Sequence, residues 1–424
     1  MRILLLCSKA PWPPKDGGAL AMLNMIRAYH KAEHEVTVLA MNTPKHYLYL
    51  RSLPDRIQRQ AEFYTVDVDT KVRLMDVVAN FLFSKKSYHV ERFTSGAFRN
   101  QLEYILSQKK FDVVQLETLY MTPYIPAIRE HAPDALVSLR SHNIEHEIWA
   151  RRAENETNPI KKYVFTETAD RIKTYEEKEV YGRNPYDVLV PITGRDAGIF
   201  RKMGSRTPMH VSPAGFDLEN LATEDEDTEN DEELIEPKKP IEMEYPSVAY
   251  LGAMDWEPNR EGMDWFLKEV WPIVSASFPN VKFYLAGRSM PDKYYRMADK
   301  SVEVVGEVPD AAEFLRSKAV VVVPVLSGSG MRVKIIEGMA HGRAVVATNL
   351  AAEGIGVTHG DQLFLADSPY EFAECIKVLI EQRALFDAIS ARASEFIQAK
   401  YDNDNIIQKL LEFYQQHLKT PAGE

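Results

Sequence analysis

The chain alternates short, almost wholly apolar runs with longer amphipathic stretches. Runs in which apolar and polar residues do not strictly alternate are typical of strands that are covered on both faces. The pattern therefore predicts an α/β fold in which parallel sheets are flanked by helices. The runs occupy residues 2–7, 35–40, 111–116, 136–140 and 187–191 in the first half, and 247–252, 281–287, 302–306, 319–325 and 343–348 in the second.

The distribution of these runs predicts two domains. A chain of 424 residues exceeds the size at which a single hydrophobic core keeps growing. We expect one domain over 1–215, a second over 241–400, and a C-terminal helix from about 400 to 424 that can pack back on the first domain. The segment 216–240 is acidic and of low complexity, which predicts a mobile linker insertion with solvated charges.

Composition and charge narrow the class of protein. The hydrophobic fraction of 45% is typical of a soluble globular protein, and the net charge of −11 disfavours nonspecific binding to nucleic acid. Cys7 and Cys375 lie far apart and have neither metal nor redox spacing, which favours a reducing cytosol. The apolar start of the chain is too short for a signal peptide or a membrane span. We therefore expect a cytoplasmic protein without a nucleic-acid partner.

One stretch, 327–348, combines a small-residue loop with cations and a carboxylate at fixed spacing. It follows the apolar run 319–325, and ligands of open α/β sheets bind beyond the carboxyl ends of such strands. Backbone N–H groups of the loop and of the next helix can bind a phosphate. Lys334 and Glu337 share a helical face near Arg332, which offers cations to a diphosphate and a carboxylate to ribose hydroxyls. An ordinary Lys–Glu surface pair after a glycine turn fits the pattern equally well.

The segment 337–348, EGMAHGRAVVAT, resembles the retaining glycosyltransferases of family 4, which have the two-domain GT-B fold. Members of that family carry two glutamates eight positions apart, and Glu337 matches the second, which holds the nucleotide ribose. Ser329 stands where the first glutamate is expected. The resemblance implies an α/β architecture of two doubly wound Rossmann-like domains that face each other across a cleft, with the donor bound by the second domain.

The resemblance extends over nearly the whole chain. In the first loop, Gly17 and Gly18 match a glycine pair that lies against the donor phosphates or the acceptor, although a turn that leads into a helix explains them as well. At the start of the second domain many members supply an Arg and a Lys to the diphosphate, whereas this sequence offers Asn259 and Arg260. The implied donor-binding residues are Gly17, Gly18, Gly252, Asn259, Gly328, Ser329, Gly330, Met331 and Glu337.

A rival motif, H-x-x-E-H, is formed by His142, Glu145 and His146. On a helix this spacing is typical of a zinc site of the inverted metalloprotease type. His142, however, directly follows the apolar run 136–140, which places it at the end of a strand. The family 4 resemblance implies instead that His142 lines the cleft near the donor sugar and the acceptor. His146 is then a core or helix-capping residue.

Two further polar residues of the first domain are assigned to the acceptor side. Glu117 ends the strand predicted near 111–116, where its carboxylate can either face the acceptor or cap the next helix. Asn143 comes directly after His142, within the segment that carries the family resemblance.

The function implied is transfer of a sugar, with retention, from a nucleotide-diphosphate sugar to a hydroxyl acceptor in polysaccharide or glycoconjugate biosynthesis. Arg332, Lys334 and the loop backbone can stabilise the leaving diphosphate, so we expect no metal and no other cofactor. His142 joins them as a catalytic residue that positions the reactants. The alternatives are a nucleotide-sugar 2-epimerase of the same architecture, a sensor that binds but does not turn over, and the zinc metalloprotease.

A basic amphipathic stretch bears on the acceptor. Residues 71–93 place apolar side chains near one helical face, with lysines and arginines around the ends. Such a helix can lie on an anionic membrane, or it can face the core with a solvated polar rim. In the first case the protein is peripheral at the inner face of the membrane and the acceptor is a lipid-linked sugar. In the second the stretch says nothing about the acceptor, which is then a glycan or a lipid-linked sugar.

Overall fold

The structure is a computed structural model that describes residues 1–14, 16–71, 80, 87–215, 241–328 and 332–418. The acidic segment 216–240, most of the basic amphipathic stretch, and Ser329, Gly330 and Met331 lie outside these residues. The chain forms two compact units. The first consists of Met1–Gly215 with Asn403–Glu424, and the second of Phe216–Asp402.

The first unit is built on a six-stranded sheet with the order β3-β2-β1-β4-β5-β6, in which every pairing is parallel. Consecutive strands are joined by segments that contain helices, as a Rossmann-like sheet requires. The strands are β1 Arg2–Cys7, β2 Glu35–Asn42, β3 Glu62–Asp67, β4 Val113–Glu117, β5 Leu136–Ser141 and β6 Val188–Pro191.

Helices of the first unit follow the strands and bury one apolar side. Short 3-10 helices occur at Leu50–Ser52 and Leu119–Tyr124, and a π-helix at Glu176–Tyr181. The α-helices in the first 215 residues are α1 Gly17–Lys31, α2 Asp55–Gln60, α3 Tyr88–Glu91, α4 Gly96–Gln108, α5 Ile125–His131, α6 Glu145–Asn155, α7 Pro159–Tyr175 and α8 Gly194–Lys202.

The second unit repeats this architecture. Its six strands, in the order β12-β11-β10-β7-β8-β9, are again paired in parallel. The strands are β7 Glu244–Leu251, β8 Phe283–Ala286, β9 Val302–Gly306, β10 Lys318–Val323, β11 Ala344–Ala347 and β12 Phe364–Leu365. The helices are α9 Glu257–Trp265, the π-helix Phe266–Val270, α10 Trp271–Ser277, α11 Asp292–Tyr295, α12 Ala311–Arg316, α13 Val333–Ala340, α14 Pro369–Glu381 and α15 Arg383–Tyr401.

The last described helix, α16 Asn403–His417, packs in the first unit. Its buried side chains include Ile407, Leu410 and Tyr414, which join the core beneath β1 and α1. The Tyr414 hydroxyl lies 2.8 Å from Gln115 Oε1 and 2.8 Å from Ser138 Oγ, both in the centre of the sheet. Helix α16 therefore contributes apolar packing and the two polar contacts of Tyr414 to the interior of the first unit.

The predicted α/β fold class is confirmed, because each apolar run falls on a strand of a parallel sheet. The pattern of apolar runs did not predict strands β3 and β12. Both are edge strands, and their side chains are only partly buried, so their sequences lack a continuous apolar run. Among the helices that the structure describes, none is both long and apolar enough to cross a membrane.

Candidate functional site

The predicted cation Lys334 lies at the carboxyl edge of the second unit's sheet. Helix α13 carries it, and its Nζ donates hydrogen bonds to Tyr250 Oη and to Asn259 Oδ1, both at 2.9 Å. The ammonium also lies 4.6 Å from the centre of the Tyr250 ring, within the range of a cation–π contact. Tyr250 belongs to β7 and Asn259 to α9. Three elements therefore hold one ammonium group in place.

Gly252 lies directly beneath this ammonium group. A Cβ atom at position 252 would lie 2.6 Å from Tyr250 Oη and 2.7 Å from Lys334 Nζ. Its carbonyl oxygen is in turn covered by Gly287, where φ is +148° and an added Cβ would lie only 1.9 Å from that oxygen. The close approach of two loop backbones therefore requires glycine on both sides. Gly252 was predicted as a site residue, whereas Gly287 was not.

Asn259 and Arg260 both fix the loop that follows β7. The buried Asn259 donates from Nδ2 to the carbonyl of Ala253 at 2.7 Å, which turns its Oδ1 toward Lys334. Arg260 donates from Nη1 to the carbonyl of Met254 at 3.0 Å. The sequence suggested both residues as diphosphate contacts. In the structure Asn259 reaches the site through Lys334, and Arg260 stabilises the loop backbone.

The surroundings of Lys334 lower the pKa of its ammonium group to about 7. Burial is the main cause and the nearby charge of Arg332 adds to it, while Glu337 acts in the opposite direction. Among the described residues, no carboxylate lies within ion-pair distance of Nζ. An incoming diphosphate would therefore meet a lysine that forms no ion pair with any carboxylate of the described residues.

Arg332 immediately precedes α13 and is buried. Its guanidinium lies 5.5 Å from the centre of the Trp256 ring, and Nη2 donates to the carbonyl of Ser327 at 3.4 Å. Gly328 adopts a φ of +94°, a value that glycine accommodates most readily. Arg332 Nη2 lies close to the α-carbon of Gly328, since a Cβ added at position 328 would be 3.3 Å from that nitrogen. The guanidinium of Arg332 therefore lies against the backbone at Gly328.

Glu337 lies three residues beyond Lys334 on α13 and is half-buried. Its charge raises the pKa of Lys334, which places the two groups in one electrostatic environment. The structure thus brings six of the predicted residues to one edge of the second sheet: Gly252, Asn259, Gly328, Arg332, Lys334 and Glu337. Such a set can bind a diphosphate and an adjacent hydroxyl-bearing group.

In the first unit, the ends of β4 and β5 bring Glu117, Arg140 and His142 together. Glu117 Oε2 lies 3.1 Å from Arg140 Nη1 and 2.5 Å from His142 Nε2. Glu117 and Arg140 are buried, with 0% and 1% of their side chains exposed. The carboxylate therefore faces Arg140 and His142 and is shielded from solvent in this structure. Its predicted place on the acceptor side stays a prediction.

The charges of this trio are balanced internally. Burial alone would raise the pKa of Glu117, but the charge of Arg140 and the hydrogen bond from His142 lower it to about 2. Burial lowers the pKa of His142, with Glu117 opposing and Arg140 and Lys9 reinforcing the shift. At neutral pH the trio therefore contains an ionised glutamate, a charged arginine and a neutral imidazole.

The H-x-x-E-H side chains have three separate partners. His142 binds Glu117, Glu145 accepts from Tyr120 Oη at 2.9 Å, and His146 Nδ1 lies 2.5 Å from Glu176 Oε2. In the part of the chain that the structure describes, no group of three or more His, Cys, Asp or Glu side chains has an arrangement that could hold a metal ion. The spacing that indicates zinc therefore serves other contacts.

Asn143 is turned toward Glu145. Its Nδ2 donates to Glu145 Oε1 at 3.5 Å, and its carbonyl accepts from Ser141 Oγ at 3.3 Å. Glu145 begins α6, and its backbone N–H donates to Glu176 Oε1 at 2.9 Å. Asn143 therefore contributes to the turn between β5 and α6, and its place on the acceptor side stays a prediction.

We expect Glu145→Gln to stabilise the protein increasingly as pH rises. Burial and the neighbouring Glu176 raise the pKa of Glu145 to about 7, from an unfolded value of about 4.3. The favourable contribution of the protonated acid is thus complete below pH 4 and is lost as pH rises through 7. Glutamine resembles that acid at every pH. Unfolding is measured from pH 5.5 to 8.5. The free energy of unfolding of the variant should exceed that of the unmodified protein by an amount that reaches about 1–3 kcal/mol at the alkaline end.

Glu154→Gln is the matched control, since Glu154 lies on the same helix and is exposed. Its midpoint should follow that of the unmodified protein across the pH range. A Glu145→Gln gain that does not grow with pH would show that Glu145 is ionised in the folded state.

Gly17 and Gly18 form the first turn of α1, next to a polar cluster that the sequence did not reveal. Asp16 caps the helix by accepting from the N–H of Ala19 at 2.9 Å, and it binds Lys9 at 2.5 Å and His46 at 2.9 Å. Burial alone would raise the pKa of Asp16, but His46 and Lys9 hold it well below its usual range. An aspartate before a helix is a capping signal. Lys9 lies earlier in the same loop and His46 comes from the loop after β2, and neither carries such a signal.

Comparison with known proteins connects this geometry to a family. The family model described as "Glycosyl transferases group 1" matches residues 245–382, which include β7 to β11 and the Lys334 site. The match lies within the second unit, and the family likeness that it shows is limited to those residues. A phosphatidyl-myo-inositol mannosyltransferase of Mycolicibacterium smegmatis is 31% identical over 176 residues, which cover 40% of this chain and 45% of that protein. These matches support a glycosyltransferase.

Two similarities span nearly the full chain. An uncharacterized 44.6 kDa protein in the cps region of Klebsiella pneumoniae is 22% identical and covers 96% of this chain and 98% of its own length. The crystal structure of Anabaena HepE in complex with UDP and glucose matches with a TM-score of 0.64 at 15% identity, over 98% of this chain and 100% of that one. The two Rossmann-like domains thus have the GT-B fold that the sequence predicted.

Proposed function

We propose that this glycosyltransferase moves a sugar from a nucleotide-diphosphate sugar to a hydroxyl of a glycan or lipid-linked acceptor, with retention at the anomeric carbon, as a hexosyltransferase of family 4. The observation that carries the proposal is the Lys334 ammonium held over Gly252 with no carboxylate partner among the described residues. It lies in the matched domain. The HepE structure, which contains UDP and glucose, supports the class of donor.

The chemistry follows from the charges at the site. Departure of the nucleoside diphosphate places growing negative charge on the oxygen that leaves the sugar. Lys334, once protonated, and Arg332 can stabilise that charge, and Glu337 can accept hydrogen bonds from the ribose. We propose that these groups act without a metal ion. Retention then fits attack from the face of the leaving phosphate, which itself takes the proton of the incoming hydroxyl.

His142 is proposed to position a reactant rather than to act as the nucleophile. Its ring is neutral and hydrogen-bonded to Glu117, which suits a hydrogen-bond contact to a sugar hydroxyl. We also propose a role in polysaccharide or glycoconjugate synthesis, in line with the family resemblance. Membrane contact through the basic amphipathic stretch stays a prediction.

Binding of nucleotide sugars tests the proposal directly. In a thermal-shift screen, UDP-, GDP- and ADP-sugars are compared, since a ligand at 100 times its dissociation constant stabilises by about 2.7 kcal/mol. Glu337→Ala should weaken binding of the nucleotide sugar that the screen identifies by roughly 1.5–3 kcal/mol, because hydrogen bonds to a charged carboxylate are lost. The exposed Glu395→Ala in the same unit should bind normally.

Product analysis then separates the possible activities. A sugar attached to an added acceptor supports a transferase, whereas release of an epimerised free sugar without an acceptor would support an epimerase. Failure of every nucleotide sugar to bind would remove the proposal, and unchanged affinity in folded Glu337→Ala would remove Glu337 from the ribose site.

A further inference from the structure

Two carboxylate–histidine pairs in the first unit use opposite ring nitrogens. His142 meets Glu117 Oε2 through Nε2, and His146 meets Glu176 Oε2 through Nδ1, both at 2.5 Å. In each pair the carboxylate is fully buried, while His142 and His146 keep 11% and 15% of their side chains exposed. The protein therefore fixes which nitrogen of each ring points inward and which points away.

The Glu117 carboxylate has donors on both oxygens. Arg140 Nη1 and His142 Nε2 meet Oε2, and Gln115 Nε2 donates to Oε1. Gln115 is held by the hydroxyls of Tyr29 and Tyr414, which donate to its Oε1 at 2.7 and 2.8 Å. These contacts lower the pKa of Glu117 to about 2 against the effect of burial. The carboxylate is ionised and can only accept.

An ionised carboxylate 2.5 Å from a ring nitrogen requires the hydrogen to be on that nitrogen. Arg140 Nη1 also lies 3.0 Å from Nε2, but a guanidinium only donates and it has Glu117 Oε2 as its acceptor at 3.1 Å. We propose that Glu117, together with Arg140, is a positioning residue that fixes His142 as the Nε2–H tautomer, so that Nδ1 presents a lone pair to a substrate hydroxyl. The tautomer does not depend on the proposed function. The contact between Nδ1 and a substrate hydroxyl rests on the proposed function.

The charged groups around the ring come from strands β4 and β5 and from the loop that follows β1. Glu117 ends β4, Arg140 lies in β5, and Lys9 follows β1. Arg140 and Lys9 disfavour an imidazolium and Glu117 favours it, and with burial included the pKa of His142 is lowered. The ring is therefore neutral at pH 7. A neutral ring whose Nε2–H is engaged has one group left for a ligand, the acceptor Nδ1.

A purely structural role explains this trio poorly. A buried ion pair costs desolvation, and apolar residues of similar volume often stabilise a core equally well or better. Of the three side chains, only His142 keeps exposed surface. The buried charges therefore act on the one residue of the trio that a ligand can reach.

The tautomer can be read without any substrate. In protein labelled with 15N-histidine, long-range proton–nitrogen spectra separate protonated from unprotonated ring nitrogens, and His142→Gln and His146→Gln assign the two rings. At pH 7.5 we expect His142 to carry its proton on Nε2 and none on Nδ1, with the His146 signals as the internal reference. A proton on Nδ1 of His142, or on both of its nitrogens, would overturn the proposal.

Glu117→Gln tests the cause. Its amide can turn either an oxygen or an NH₂ group to the ring, so His142 should become a mixture of tautomers while the His146 signals stay unchanged. In a working transferase, kcat should fall roughly 10²-fold with little change in donor KM. A folded variant that keeps pure Nε2–H would remove Glu117 as the positioning residue. Should the variant fail to fold, the spectrum of the unmodified protein still decides the tautomer, even if no sugar transfer is found.

Discussion

Alanine at position 334 is expected to lower kcat by roughly 10²–10³-fold, with a smaller loss in donor affinity. The ammonium of Lys334 is held by Tyr250 and Asn259 over Gly252, in a site that no described carboxylate neutralises. It meets the most negative charge when the diphosphate leaves the sugar, so its removal affects the transition state more than the bound donor. Steady-state kinetics and donor titration on the same preparation measure both effects. Lys282→Ala, at an exposed lysine paired with Glu303 at 3.1 Å, is the control and should keep full activity.

The same lysine predicts a pH dependence with a definite sign. Since the pKa of Lys334 is about 7 in the free protein, a diphosphate must recruit a proton to bind at higher pH. Nucleotide affinity should therefore fall by up to about tenfold per pH unit between pH 7 and 9. Lys334→Arg should bind without that fall, because arginine stays charged throughout. If Lys334→Ala lowered donor affinity and kcat/KM by the same factor and left kcat intact, the role of Lys334 in the transition state would be contradicted.

The spacing of Lys334 and Glu337 is local, and that is why the sequence could predict it. A helix places residues three apart on one face regardless of what surrounds it. The partners of Lys334 are not local: Tyr250 lies 84 positions away and Asn259 lies 75 away. Sequence patterns therefore predict that a cation faces the edge of the sheet. They do not predict that a tyrosine hydroxyl and an amide hold it.

Glu117 shows the opposite case. The sequence places a carboxylate at a strand end, but its environment is set by Arg140 on a neighbouring strand and by Tyr414, whose hydroxyl reaches Gln115 from 299 positions away. Solvent exposure of a single side chain depends on such distant packing, which no sequence-based interpretation of Glu117 could take into account. The contact of the Asn143 amide with Glu145, in the turn before α6, was likewise not predictable from the sequence.

The predictability of the strands follows from burial. Central parallel strands are covered on both faces and so read as apolar runs, whereas the edge strand β3 is half-exposed along its length. The glycines of the site also differ in how far the sequence predicts them. Gly252 and Gly328 lie in loops that the family resemblance marks, but the requirement for glycine at 287 arises only because two loop backbones touch.

Alanine in place of Gly287 should be the most destabilising single methyl group in the second unit's site. Its φ of +148° is unfavourable for any residue with a Cβ, and the added atom would lie 1.9 Å from the Gly252 carbonyl oxygen and 2.8 Å from its carbonyl carbon. Both are backbone atoms that cannot rotate away. We expect a loss of roughly 3 kcal/mol or more, which lowers the unfolding midpoint by about 6–12 °C.

Gly342→Ala separates the contact from the backbone angle. Gly342 also has a positive φ, +66°, but an added Cβ there meets nothing within 4 Å. That variant should lose only roughly 1–2 kcal/mol, the cost of a left-handed residue with a side chain. Because Gly252 lies beneath the ammonium of Lys334, folded Gly287→Ala should also bind nucleotide poorly, whereas Gly342→Ala should bind it normally. Equal destabilisation of the two variants, with nucleotide binding intact in both, would show that the strand ends can separate without disturbing Lys334.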